Sequence, residues 1–186
     1  MMDLIPIFPE ESPRIFAVCY DNQPVDEFER LFDLWNDSEY LEAFFHKNYN
    51  DLCSGFNRCQ SVEEAVKRTL EDASRFEEHL LELAENGDQD PSQALQALFE
   101  PLNNFEFRLI NLQKSKGKYW RSPWLRLYAI RIDANLFVIT GGAIKLTHKM
   151  SDREHTRIEL EKLEKAKNYL LETGLIDKES FEFLII

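Results

Sequence analysis

The residues with most chemistry to offer lie in LRLYAIRIDANLFVITGGAIKLTHKM, positions 125–150, and in the QKSKGKYWR stretch just before it. Together these hold Lys114, Lys116, Lys118, Arg121, Arg126, Arg131, Lys145, His148 and Lys149. Side chains alternate across a strand, so Arg126, Tyr128 and Ile130 share one face while Leu127, Ala129 and Arg131 take the other. The two arginines therefore point apart, and one site cannot use every cation. Arg126 has Trp124 and Tyr128 on its own side in this reading. Aromatic rings beside a guanidinium suit unstacked nucleotides. The same charges also fit the solvated face of a hairpin, or partners for acidic helices elsewhere. The residues alone leave both readings open.

Other candidate sites carry less. Gly141-Gly142 falls inside an apolar strand pattern, where glycine marks a bulge or a close backbone approach. A phosphate cradle would need a helix to start directly after it, and here the strand continues. His46, Cys53 and Cys59 match no zinc spacing and lack a fourth ligand, so no metal or cofactor is expected. No nucleophile elbow is present for Ser/His/Asp chemistry.

A net charge of -12 speaks against a nucleic-acid partner until its distribution is read. Residues 1–104 hold seven basic and 23 acidic residues, whereas 105–157 hold eleven basic and only four acidic. The cations are therefore concentrated in one segment. A hydrophobic content of 44% with six glycines and seven prolines excludes a disordered or low-complexity chain. The first residues show no basic region followed by an apolar core, and no stretch reaches the roughly 18 apolar residues of a membrane span. Three sparse cysteines fit a reducing compartment, so the expected setting is the cytoplasm.

The elements that must position these residues follow from periodicity. Arg14–Asp21 is a short apolar run, read as a buried strand. Phe28, Leu31, Phe32, Trp35, Leu41, Phe44 and Phe45 recur at helical spacing and predict one or two helices up to about Asn48. Ser61-Val-Glu-Glu64 is a capping box opening a helix that stops at Asn86-Gly87. Asp90-Pro91 predicts a further helix to about Asn103. Strands are expected over roughly Glu106–Gln113, Trp124–Ile132 and Leu136–Thr147, the last two joined by the Asp133–Asn135 turn. A long helix from Asp152 to about Glu172 opens at Ser151 and closes at Gly174, and ESFEFLII reads as a strand or an apolar end. The order specifies a single α+β domain over residues 1–186, with a helical insertion at about 26–103 and a basic β-core at about 106–149. The first strand should join the same sheet as 125–147, with the insertion packed on one side of it and the cationic side left at least partly open.

The stretch Arg126-Leu127-Tyr128, the Asp133–Asn135 turn, Leu136–Thr140 and the basic residues Lys145–Lys149 resembles the later strands of the RelE/HigB/ParE superfamily of toxins from toxin-antitoxin modules. The Lys114/Lys116/Lys118 run looks like the lysine-bearing segment before the arginine strand. The likeness covers about a third of the chain. It departs from the family in the size and acidity of the helical segment. The resemblance implies an antiparallel sheet of about four strands. It also implies a metal-independent messenger RNA endoribonuclease, often ribosome-dependent, with a cognate antitoxin protein as partner. It assigns Arg126 and Lys145 to phosphate stabilisation, Lys116 to base or phosphate contact, and His148 to acid or base. Lys114, Lys118, Arg121, Tyr128 and Lys149 would bind nucleic acid. Crowded like charges would depress a lysine enough to act as the base. A binding protein without catalysis, or a ParE-like gyrase inhibitor, is the alternative on the same fold.

Overall fold

The computed structural model describes residues 2–21, 23–54, 61–87, 89–90, 92, 94–102, 111–119, 122–147, 149 and 153–184. Six strands form one mixed sheet: β1 (Asp3–Phe8), β2 (Ile15–Cys19), β3 (Phe99–Pro101), β4 (Gln113–Gly117), β5 (Leu125–Asp133) and β6 (Leu136–Ile144). Their order across the sheet is β1-β2-β6-β5-β4-β3. Neighbours are antiparallel except β2 and β6, which are parallel. The class is α+β, as the element order requires. The expected small antiparallel sheet of about four strands is replaced by this larger mixed one.

The first strand does join β5 and β6 in one sheet, through Ile15 opposite Phe137 and Ala17 opposite Ile139. Its run is apolar because both faces are covered. β1 escapes a sequence reading because Pro6 interrupts it. As an edge strand it tolerates a residue that cannot donate to the ladder.

The insertion supplies α1 (Glu27–Asn36), α2 (Ser38–Lys47), the single turn α3 (Tyr49–Leu52) and α4 (Val62–Asn86). Asp26 caps α1 by accepting from the Phe28 and Glu29 amides, Asp37 caps α2, and the Ser61 hydroxyl accepts from Glu64. Leu31, Trp35, Phe45, Phe76 and Leu80 turn inward onto Leu125, Leu127, Ala129, Phe137 and Ile139. The insertion thus covers one face of the sheet. The opposite face, the cationic side expected to stay at least partly open, is also covered, by α5 (Glu154–Thr173) and α6 (Lys178–Glu182). Leu163, Ala166, Leu170 and Phe181 pack there on Phe16, Val18, Tyr128, Ile130 and Val138. Among the described residues no helix is long and apolar enough to cross a membrane.

Three hydrogen bonds lock the insertion to the sheet. The Trp124 indole N–H donates to Thr69 Oγ1 of α4 at 3.0 Å, with both side chains buried. Asn135 in the β5–β6 turn accepts from the Leu95 amide at 3.0 Å and donates to Ala84 O at 3.3 Å.

Local expectations failed in two places. The helix expected over 90–103 is a 3₁₀ turn, Leu95–Ala97, followed by β3. Phe99 stacks on Phe137 at 4.6 Å between ring centroids, and the ladder from β3 to β4 wins over helix propensity. The first four residues of the tail ESFEFLII belong to the helix α6, fixed by a capping box between Asp177 and Ser180 and anchored by buried Phe181, and Ile185 and Ile186 lie outside the described residues. α5 begins at Glu154 and ends on Gly174 at a φ of 76°, where a side chain would be strained. Ser151 and Asp152, expected to open α5, lie outside the described residues, as does most of the strand expected over Glu106–Gln113.

Candidate functional site

β4 is built from the lysine run itself, so that run is part of the sheet. Gln113, Ser115 and Gly117 are buried, while Lys114 and Lys116 alternate with them and face the α5 side. The register sets Lys114 opposite Ile130 and Lys116 opposite Tyr128, and Lys118 follows one step nearer Arg126. On the far side of β5, Arg126 stands opposite Ala143 of β6. Lys145 lies between Ile144 and Leu146, both of which enter the insertion-side core, so it is carried on the face of Arg126. Arg126 and Lys145 are therefore diagonal neighbours on one face, flanked by Lys116 and Lys118.

Arg126 is held by two main-chain carbonyls: Nη1 donates to Leu125 O at 2.7 Å and Nη2 to Pro123 O at 3.1 Å. No carboxylate among the described residues forms an ion pair with it. Burial pushes its guanidinium below the ordinary value, with Tyr128 and Glu100 acting in the opposite sense. The lysines are accompanied. Glu164 of α5 bonds Lys114 and is held below the usual carboxylate range by it, while Glu100 of β3 lies 3.8 Å from Lys116 and 3.4 Å from Lys118. Glu100 belongs to the insertion and Glu164 to α5.

Tyr128 is 1% exposed beneath α5 and presents no ring face to a base as the chain stands. Burial also raises its phenol well above the ordinary value. Arg131 lies on the opposite face from Arg126, as alternation demands, and is buried on the insertion side with its own charge disfavoured by desolvation. Trp124 is not beside Arg126. The pleat begins only at Leu125, and the indole enters the insertion-side core. Lys149 is exposed, and Thr147 Oγ1 donates to its carbonyl. Arg121 and His148 lie outside the described residues, as does Cys59. Among the described residues no group of three or more His, Cys, Asp or Glu could hold a metal ion.

Gly141-Gly142 does mark a bulge: Tyr128 pairs with Gly141 and Ala129 with Ile139, leaving Thr140 as the extra residue. A Cβ at Gly141 would sit 1.8 Å from Glu159 Oε2 of α5, and one at Gly142 would sit 2.9 Å from Leu31 and 3.1 Å from Trp35 of α1. The two glycines let both helical layers press onto β6 at one point.

That close approach creates a polar cluster which sequence reasoning missed. Glu27, fully buried, accepts from Arg30 through both oxygens at 2.9 and 2.7 Å, and from Lys162 at 3.0 Å. Lys162 also bonds Glu159 Oε1 at 3.1 Å. Desolvation, reinforced by Glu27 and opposed by Lys162 and Arg30, pushes the Glu159 carboxyl up to about 7. In the sequence Glu27/Arg30 and Glu159/Lys162 look like ordinary exposed pairs three apart on helices. The only signal of their burial was Gly141, which lacks the side chain that would exclude Glu159.

Comparison of the chain with protein-family models, with curated proteins and with solved structures finds no match.

Proposed function

We propose that this chain is a RelE/HigB-like toxin of a toxin-antitoxin module, acting in the cytoplasm as a metal-independent endoribonuclease on messenger RNA. The observation that carries the reading is the placement of Arg126, Lys145, Lys116 and Lys118 on one face of the sheet, with the Arg126 guanidinium fixed by two carbonyls and in no ion pair with a carboxylate among the described residues. Such a group is preorganised for a phosphate. Cleavage would proceed by attack of the 2′-hydroxyl oxygen on the adjacent phosphorus. A base takes the hydroxyl proton, the cations hold the charge growing on the phosphoryl oxygens, and the leaving 5′-oxygen receives a proton. Arg126 and Lys145 suit the charge-holding role, and Lys114, Lys116 and Lys118 suit contact with the strand.

One observation favours a second reading, a binding protein without catalysis. Glu100 and Glu164 accompany Lys114 and Lys116 of β4 and Lys118 just beyond it, and Tyr128 is sealed under α5. Inducible expression with and without the neighbouring gene, scoring growth and messenger RNA integrity, separates the two. Growth arrest with RNA decay, relieved by the neighbour, is the expected result. Unchanged RNA and growth at full expression would leave the binding reading in place.

A further inference from the structure

A cleft of about 560 Å³ opens along the flank of β6 away from β5, between α1 and α2 on one side and α5 on the other. It exists because β2 pairs with β6 only as far as Ala17 opposite Ile139, while β6 runs on to Ile144. Lys145 N–H donates to Trp124 O at 2.8 Å, so alternation turns the main-chain groups of Gly141 and Ala143 toward β5 and those of Gly142 and Ile144 toward the strandless flank. His155 meets one of them, its Nε2 lying 3.1 Å from Ile144 O. Gly142 lies on the floor of the cleft. The place, between helical layers beyond the carboxyl end of β2, is one where open sheets commonly receive ligands, and the volume is ordinary for a small-molecule site.

The lining has a direction. His155, Ile158 and Lys162 follow one another at helical spacing along α5, and Lys47, Phe44 and Tyr40 run the same way on α2. Two contacts fix the ends. His155 packs edge-on against Phe44 at 5.4 Å between ring centroids, while the Arg30 charge acts on the Tyr40 phenol and Arg30 shares Glu27 Oε2 with Lys162. From Lys162 to His155 the helix rises about 10 Å. Between the ends the walls are apolar, with Leu34, Phe44 and Ile144 facing an Ile158 that is left 42% exposed.

The Arg30 end presents donors. Glu27, fully buried, accepts from Arg30 and Lys162 from behind, and Glu159 accepts from Lys162 through Oε1 with Oε2 turned against Gly141. What solvent reaches is the other side of the two cations, with 26% of the Arg30 side chain and 17% of the Lys162 side chain exposed. Arg30 Nη1 and the Tyr40 hydroxyl make no hydrogen bond among the described residues. In a chain of net charge -12, this lining sets Arg30, Lys47 and Lys162 against the one carboxylate of Glu159. We propose that the cleft binds a small apolar carboxylate, with its head toward Arg30, Lys162 and Tyr40 and its alkyl or aryl body between Phe44 and Ile158. A hydrogen bond between charged partners is about twice as strong as a neutral one, which favours a carboxylate over an uncharged head. The site lies on the other flank of β6 from Arg126 and does not depend on RNA cleavage there.

The test is isothermal titration calorimetry of the full chain at pH 7 with octanoate, octanamide, butanoate and phenylpropionate. Octanoate should bind about tenfold or more tighter than octanamide, which has the same chain and no charge. Butanoate should bind about tenfold or more weaker than octanoate, because it leaves the apolar walls uncovered. Arg30→Gln should erase the preference for octanoate while octanamide still binds, and Lys47→Ala, at the far mouth, should leave that preference in place. Ile158→Glu, at an exposed position on the wall, should abolish octanoate binding in a chain whose circular dichroism is unchanged. Phenylpropionate binding tighter than octanoate would make the natural body a ring, and the reverse would make it an alkyl chain. Octanoate no tighter than octanamide, no binding of octanoate, a preference that survives Arg30→Gln, or octanoate affinity unaffected by Ile158→Glu would overturn the proposal.

Discussion

Replacing Glu159 with Gln should make the protein more stable at pH 8 and leave it little changed at pH 5. The carboxyl titrates near 7 in the folded chain against an ordinary value of 4.5, chiefly because burial between α5 and Gly141 strips its water. An acid whose folded value is raised binds its proton more tightly in the folded state. Its favourable contribution is complete below about pH 4.5 and is lost as pH climbs through about 7. Integrated over that window the loss is about 3 kcal/mol. For a chain of this size that corresponds to a melting temperature lower by about 6–12 °C. Glutamine keeps an oxygen for Lys162 and carries no charge to desolvate. Urea denaturation of both chains at half-unit steps from pH 5 to pH 8.5 gives the difference curve, in which the other titrating groups cancel. The variant should gain on the wild type steadily between pH 5 and pH 7.5. A difference curve flat across that interval would refute burial as the cause of the shift.

Gly141→Ala should cost about 1–3 kcal/mol in urea denaturation, since its Cβ would meet Glu159 Oε2 at 1.8 Å. The cost should shrink toward nothing in a Glu159→Ala background, and an equal cost in both backgrounds would show that the contact is not the reason. Thr69→Val leaves the Trp124 indole N–H without its acceptor in a dry core and should cost about 1–3 kcal/mol. Most of that loss should be recovered when Trp124→Phe is added, and additive losses would deny the coupling.

Much of this architecture was legible because local and tertiary signals agreed. The caps at Ser61 and Gly174, the short Asp133–Asn135 turn and the apolar run of β2 each serve the elements they predict. β3 was hidden because Leu95, Leu98 and Phe99 fit a helical face as well as their actual burial, and only pairing with β4 decides between them. β1 was hidden by Pro6. Of the cationic site, alternation correctly separated Arg126 from Arg131, but where the pleat begins, at Leu125 and not Trp124, depends on the turn before it. Glu100 and Glu164 could not be foreseen as partners of the lysines. They reach them across the sheet and from α5, contacts with no local signature.

The proposed ribonuclease activity is tested most directly by the rate of messenger RNA cleavage on ribosomes, in chelator, by wild type, Arg126→Ala and Lys116→Ala chains matched for folding by circular dichroism. A guanidinium aimed at developing phosphoryl charge acts mainly in the transition state, so Arg126→Ala should lose about 10²–10³ in rate with little loss of binding. Lys116→Ala should instead weaken binding and flatten its salt dependence, because each phosphate contact releases counterion. Cleavage by Arg126→Ala at the wild-type rate, or no cleavage by wild type at any concentration that binds, would contradict the account.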